Sequence, residues 1–203
     1  RPYIVMEGMS DRFMATYKRP FEAKDIKVVM YAGGLHERYG LKKLTEAFMM
    51  LPQENFRLKL FGSGPFVEKL KTKYTKKDSR IQYMGVAPNA EVVAAELDAS
   101  LLVNPRPTHE EFTKYSFPSK NIEYMASGTP LLTTKLPGMP KEYYPYVFLI
   151  ENESVEGYAK ALESVLAQSD EELYVFGEKA KDFVLEKKNS FEQAKRVIEL
   201  IKL

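Results

Sequence analysis

Lys27-Val28-Val29-Met30-Tyr31-Ala32-Gly33-Gly34-Leu35-His36-Glu37-Arg38-Tyr39-Gly40-Leu41 is the stretch that decides the fold. Five apolar or β-branched residues follow Lys27 without a polar interruption, which suits a strand buried on both faces, and two glycines end it. From Leu41 the period changes. Leu41, Leu44, Phe48 and Leu51 recur at the three- and four-residue spacing of one helical face. A strand that turns through glycine into a helix is one βα unit, and the unit repeats outward along the chain. Residues 57–61 run into Gly62-Ser63-Gly64-Pro65 and a helix from 66 to about 74, and residues 81–84 precede a helix near 90–97. Residues 100–104 lead through a loop, 105–117, to a helix over 118–126 that stops at Gly128-Thr129-Pro130. Strands over 131–134 and 147–150 and helices near 155–167, 171–186 and 191–200 complete the pattern. Such alternation predicts an α/β fold: a doubly wound, Rossmann-like parallel sheet with crossover helices on both faces and a helical C-terminal tail.

Composition excludes several chemistries. The chain has 203 residues, no cysteine, no tryptophan and a formal net charge of +2. That length buries a core without staples. Lack of cysteine removes disulfides, thiolate zinc sites, iron–sulfur clusters and cysteine nucleophiles. A nearly balanced charge argues against a broad basic field, so no nucleic-acid partner is expected. No apolar run reaches the ~18 residues that cross a bilayer, and no signal-peptide pattern opens the chain, so a cytoplasmic location is expected. The chain opens on Arg1 rather than Met, and Tyr3-Ile4-Val5-Met6 reads as a strand. It reads as a piece of something longer, with 1–26 a linker and the end of a preceding half, 27–168 the sheet domain and 169–203 the tail. His36 and His109 have no partners at metal-ligand spacing, so no metal is expected. Asn152-Glu153-Ser154 matches a glycosylation acceptor by chance. Lys69, Lys71, Lys73, Lys76 and Lys77 read as a solvated helix face, with peripheral contact to anionic lipid at the inner membrane face as the functional alternative.

In doubly wound sheets ligands bind beyond the carboxyl ends of the strands, which directs attention to loops 33–40, 62–65, 84–89, 104–117 and 134–140. Gly33-Gly34 and the helix start after Tyr39-Gly40 suit close approach of an anion, to which Arg38 can add a fixed charge; a tight turn with a solvated arginine fits as well. Gly62-Ser63-Gly64 follows a strand, but position 67 is valine and the dinucleotide fingerprint fails, which disfavours a nicotinamide cofactor. Nor is there a P-loop. Tyr115-Ser116-Phe117-Pro118-Ser119-Lys120-Asn121-Ile122-Glu123-Tyr124-Met125-Ala126-Ser127-Gly128-Thr129-Pro130 is richer. Pro118 suits the first helical position, placing the Ser119 hydroxyl, the Lys120 ammonium and free amides near one point, where a diphosphate is favoured. Glu123 lies one turn further along the same face, in reach of a ribose; a capped helix with Lys and Glu in water is the plain alternative.

Taken together, Tyr31-Ala32-Gly33-Gly34-Leu35 with Tyr39-Gly40 and Glu46-Ala47-Phe48, then Phe61-Gly62-Ser63-Gly64-Pro65, Tyr83-Met84-Gly85, and Phe117-Pro118-Ser119-Lys120 with Glu123 to Pro130, occur in order over about 100 residues. This series resembles the nucleotide-sugar-binding C-terminal half of GT-B glycosyltransferases, in particular the family-four (group 1) retaining enzymes, in the variant whose helix opens with P-S-K. The resemblance implies that Glu123, the second glutamate of the family's E-x7-E motif, binds the ribose. It implies that Ser116, Phe117, Ser119 and Lys120 touch the sugar and diphosphate, that the loop at Tyr83, Gly85 and Val86 holds the base, and that Gly33, Gly34, Gly62 and Gly64 line the cleft floor.

Three positions depart from the family pattern. The first motif glutamate falls at Tyr115, with Glu110, Glu111 or the Tyr115 hydroxyl as replacements. The family's arginine and lysine fall at Gly34 and Tyr39, with Arg38 and Lys120 as the expected catalytic cations. The resemblance therefore implies a donor domain for retaining transfer of a sugar from a nucleoside diphosphate sugar, UDP favoured, to a hydroxyl acceptor in bacterial surface polysaccharide or glycolipid synthesis. A sugar or lipid-linked acceptor would be held by the missing N-terminal half, and the isolated fragment would turn over poorly. No cofactor is implied, since the nucleotide sugar is substrate. A non-catalytic nucleotide-binding or scaffold module on the same fold is the alternative.

Overall fold

A computed structural model of the chain describes residues 3–4, 6–17 and 20–202. The expected alternation is realised as β1 (Lys27–Ala32), α1 (Leu41–Met49), β2 (Phe56–Phe61), α2 (Phe66–Lys69), α3 (Thr75–Lys77), β3 (Ile81–Gly85), α4 (Asn89–Asp98) and β4 (Leu101–Asn104). It continues through α5 (Ser119–Ser127), β5 (Leu131–Thr134), β6 (Phe148–Ile150), α6 (Val155–Leu166), α7 (Asp170–Lys187) and α8 (Ser190–Ile201). A π turn, Leu70–Tyr74, joins α2 and α3 into one helical run. The six strands are parallel and hydrogen-bond in the order β3-β2-β1-β4-β5-β6.

Side chains of β1 alternate between the two faces of the sheet, as strand geometry requires. Val29 and Tyr31 pack with Leu44 and Phe48 of α1 and Tyr158 and Leu162 of α6. Val28, Met30 and Ala32 pack with Tyr124 and Met125 of α5 and Ala180 and Val184 of α7. The sheet is thus covered on both sides. Helix α7 begins with a capping box, Ser169 and Glu172, that satisfies two first-turn amides. It buries Leu173 in one core and Ala180 and Val184 in the other.

Two local expectations are corrected. Tyr3, Ile4 and Met6 form no strand, while Val5 lies outside the described residues. The segment that follows them lies against the helices instead, where Gly8 packs near Ile122 of α5 and Gln193 of α8 donates to its carbonyl at 3.3 Å. Helix α5 starts at Ser119 rather than Pro118, because Pro118 has ψ 120° and caps the helix from an extended conformation. Among the described residues no helix is long and apolar enough to cross a membrane.

Candidate functional site

Strand order reverses between β1 and β4: the sheet grows through β2 on one side and through β5 on the other. A crevice opens beyond the carboxyl ends at such a switch point. The loops after β1 and β2 form its floor by continuing the ladder past the strands, with Gly33 N donating to Phe61 O at 3.0 Å, Leu35 N to Ser63 O at 2.8 Å and Gly62 N to Gly85 O at 2.7 Å. Gly62 has φ 124°, and a Cβ there would stand 1.9 Å from Gly33 O, so only glycine lets the two loops meet. At the end of β3 the register slips, Leu60 pairing with Tyr83 and Phe61 with Gly85. Such a bulge turns the loop at 84–87 toward the crevice.

Lys120 divides the crevice into two lobes. One, of about 220 Å³, is bounded by Gly33, Gly62, Val86, Asn89, Lys120 and Glu123. The other, of about 360 Å³, is bounded by Tyr31, Asn104, Arg106, Phe117, Ser119 and Lys120, with Gly34 and Tyr39 at its edge. The lysine stem crosses Gly33, where an added Cβ would lie 2.7 Å from Lys120 Cε. Its ammonium sits 3.8 Å from Glu123 and 5.6 Å from the Tyr124 ring centroid. Tyr124 holds α5 against β1, its hydroxyl accepting from Ala32 N at 2.8 Å and donating to Ala32 O at 3.1 Å. No side chain caps the first turn of α5, so that end of the helix keeps its affinity for an anion.

Of the expected site residues, the crevice brings together Gly33, Gly34, Gly62, Val86, Phe117, Ser119, Lys120 and Glu123. Others shape it from behind. Tyr83 donates to Gly62 O at 3.0 Å, Gly85 takes φ 76°, and Gly64 passes under Leu35, whose carbonyl an added Cβ would meet at 2.4 Å. The Ser116 hydroxyl donates to Phe112 O at 2.9 Å. Arg38, Glu111 and Tyr115 bound neither lobe, and Tyr115 is 83 % exposed. Arg38 is solvated on the outside of Tyr39, donating to its hydroxyl at 3.3 Å. That bond holds the Tyr39 phenol below its usual range.

Sequence reasoning missed three residues. Arg106 lies in the larger lobe, its guanidinium 5.0 Å from the Tyr39 ring and 5.4 Å from that of Phe112. The signal for it was a single arginine between two prolines directly after a strand. Asn104 bounds the same lobe and donates to Asn121 at 2.6 Å. Glu96 of α4 is fully buried, with neither carboxylate oxygen bonded. Burial, and then the Glu123 carboxylate, push its carboxyl up to about 8 against the pull of Lys120. It therefore keeps its proton at neutral pH. Burial likewise pushes the Tyr31 phenol up to about 12, with the charge of Arg106 opposing.

A doubly wound sheet with a glycine floor and cations at its switch point defines an α/β domain with a crevice across β1 and β4. The chain belongs to the glycosyl transferases group 1 family, whose model matches residues 15–183. It is 30% identical over 112 residues to the putative colanic acid biosynthesis glycosyltransferase WcaL of Escherichia coli K12, covering 53% of this chain and 27% of that protein. Its fold matches sucrose-phosphate synthase from Thermosynechococcus elongatus with a TM-score of 0.71 at 22% identity, over 88% of this chain and 45% of that one. It also matches Anabaena HepE, solved with UDP and glucose, with a TM-score of 0.67 at 16% identity, over 88% of this chain and 48% of that one. The chain thus spans about a quarter of the curated relative and under half of each of these two structures.

Proposed function

We propose that this chain is the donor-binding half of a retaining glycosyltransferase that takes a nucleoside diphosphate sugar, UDP favoured, and serves surface polysaccharide or glycolipid synthesis. The observation that carries the reading is Lys120, which crosses Gly33 at the uncapped start of α5 and lies 3.8 Å from Glu123. The pair sits where a diphosphate and its ribose would adjoin. Glu123 accepts from the ribose hydroxyls, and the backbone at Gly85 and Val86 holds the base in the smaller lobe. Ser119, Lys120 and the first-turn amides of α5 hold the diphosphate. On transfer the bond from the anomeric carbon to the diphosphate oxygen breaks and its electron pair stays with the diphosphate. The acceptor oxygen bonds to that carbon and releases its proton. Cations and amides fixed in advance around the diphosphate stabilise the charge that develops there. The acceptor is held by residues outside this chain, so the chain alone binds donor with little turnover. The names of WcaL and HepE, the latter solved with UDP and glucose, favour this substrate class.

A non-catalytic nucleotide-binding or scaffold role is favoured by one feature, the exposed Tyr115 where the family carries an acid. Calorimetry with UDP, GDP and ADP separates nucleotide binding from a scaffold role. UDP is expected to bind. Glu123→Ala should weaken UDP and uridine alike, whereas Lys120→Ala should weaken UDP about tenfold and uridine little. Equal losses for both ligands in Lys120→Ala would remove its diphosphate role, and a folded chain that binds none of the three nucleotides would be a scaffold.

A further inference from the structure

Arg106 is a half-buried charge without a counter-charge. Its Nε is buried and bonded to nothing, and among the described residues no carboxylate pairs with the guanidinium. Arg80 and Lys188, both more deeply buried, pair with Asp78 at 2.7 Å and Glu142 at 2.6 Å, and the buried Lys181 donates to the Tyr17 carbonyl at 2.6 Å. An unmatched charge out of water is costly unless something arrives to pair with it.

The backbone around Arg106 is held by side chains of the neighbouring elements. Three consecutive carbonyls each accept from a hydroxyl: Asn104 O from Thr133 at 3.1 Å, Pro105 O from Tyr158 at 2.8 Å and Arg106 O from Thr134 at 2.5 Å. Tyr39 and Phe112, edge to face with centroids 6.2 Å apart, form the aromatic shelf against which the guanidinium rests. Aromatic faces hold a guanidinium by cation–π attraction without consuming its N–H donors. What remains is a planar fork of donors, preorganised and unused, in the lobe that also holds Ser119 and Lys120. Gly34 and Tyr39, at the edge of that lobe, supply no charge of their own.

We propose that Arg106 binds the diphosphate of the donor, gripping it from the sugar side of Lys120. The assignment rests on the donor-binding reading above. Glu123 marks the nucleoside lobe, and Arg106 lies in the other lobe, across Lys120. A diphosphate spanning the lysine meets the arginine fork next, and Arg–phosphate pairing in bidentate geometry is strong and direction-specific. Tyr39 thus has a positive role: its ring supports a cation that reaches the site from the β4 loop.

Calorimetry with UDP, uridine and inorganic pyrophosphate on the wild type, Arg106→Gln and Arg106→Lys tests this. Arg106→Gln should weaken UDP and pyrophosphate at least about tenfold and leave uridine unchanged, with Arg106→Lys between it and the wild type. Its melting temperature should equal or exceed that of the wild type, since an unmatched charge is removed. If Arg106→Gln does not fold, Arg106→Lys carries the test, keeping uridine affinity and losing part of the UDP affinity. UDP binding unchanged in both variants, or uridine weakened as much as UDP, overturns the assignment and leaves the donor reading standing. Pyrophosphate that binds the wild type but not Arg106→Gln, when no nucleotide binds, overturns the donor reading and supports an Arg106 anion site. If neither nucleotide nor pyrophosphate binds the wild type, both fail.

Discussion

Gly33 and Gly62 differ in what a methyl group would strike. At Gly33 the added carbon meets Lys120 Cε at 2.7 Å, the end of a flexible side chain, so the cost is mainly the backbone at φ 154°. At Gly62 it meets the carbonyl of Gly33 at 1.9 Å, and backbone cannot step aside. Gly33→Ala should therefore cost about 1 kcal/mol and displace Lys120, weakening UDP more than uridine, whereas Gly62→Ala should cost ~3 kcal/mol or more. Urea unfolding of the two variants, with calorimetry on Gly33→Ala, checks the order. Glycine pairs after strands are visible in a sequence. Which of two glycines faces a lysine and which a carbonyl depends on residues 29 and 87 positions apart.

Helix α4 carries the clearest coupling between an element and solution conditions. The buried Glu96 carboxyl takes up its proton near pH 8 in the folded chain and near 4.5 when unfolded. Between those values the folded state holds the extra proton, so the stability that Glu96 contributes falls as pH rises from about 4.5 to 8 and is level above. Glu96→Gln keeps the shape without the charge. Its stability in urea unfolding should match that of the wild type near pH 5 and exceed it increasingly toward pH 8, by on the order of a few kcal/mol. A difference constant across that range would contradict the assignment. Helix α4 was expected from its length and flanks, but nothing in its own residues tells that Glu96 faces Glu123 of α5. The short 3-10 turns at Glu37–Tyr39 and Glu111–Lys114 were also not legible. Three or four residues show no period of their own, and tertiary packing decides how they close.

Across the whole molecule the described N-terminal segment is tied to the C-terminal helices by a buried cluster. Lys188, 4 % exposed, lies 3.5 Å from Glu7, 5 % exposed, and 2.6 Å from Glu142. Ser10 N donates to Lys188 O at 2.7 Å. Lys188→Met would leave the Glu7 carboxylate buried, with Arg196 3.9 Å away and the Gln193 amide at 3.5 Å as its remaining partners. It should cost about 3 kcal/mol in urea unfolding, most of it recovered in the double variant Glu7→Gln, Lys188→Met. The alternation of apolar runs with helical stripes determined by itself that this chain is a doubly wound α/β domain. The ordered glycine turns pointed to its family, because local period records which face is buried and a turn records which residues the backbone tolerates. The tertiary structure alone decided that Arg106, far in sequence from Tyr31 and Gly34, shares a lobe with them. Strand order brings β4 against β1, and the long-range pairing that sets that order leaves no mark in local spacing.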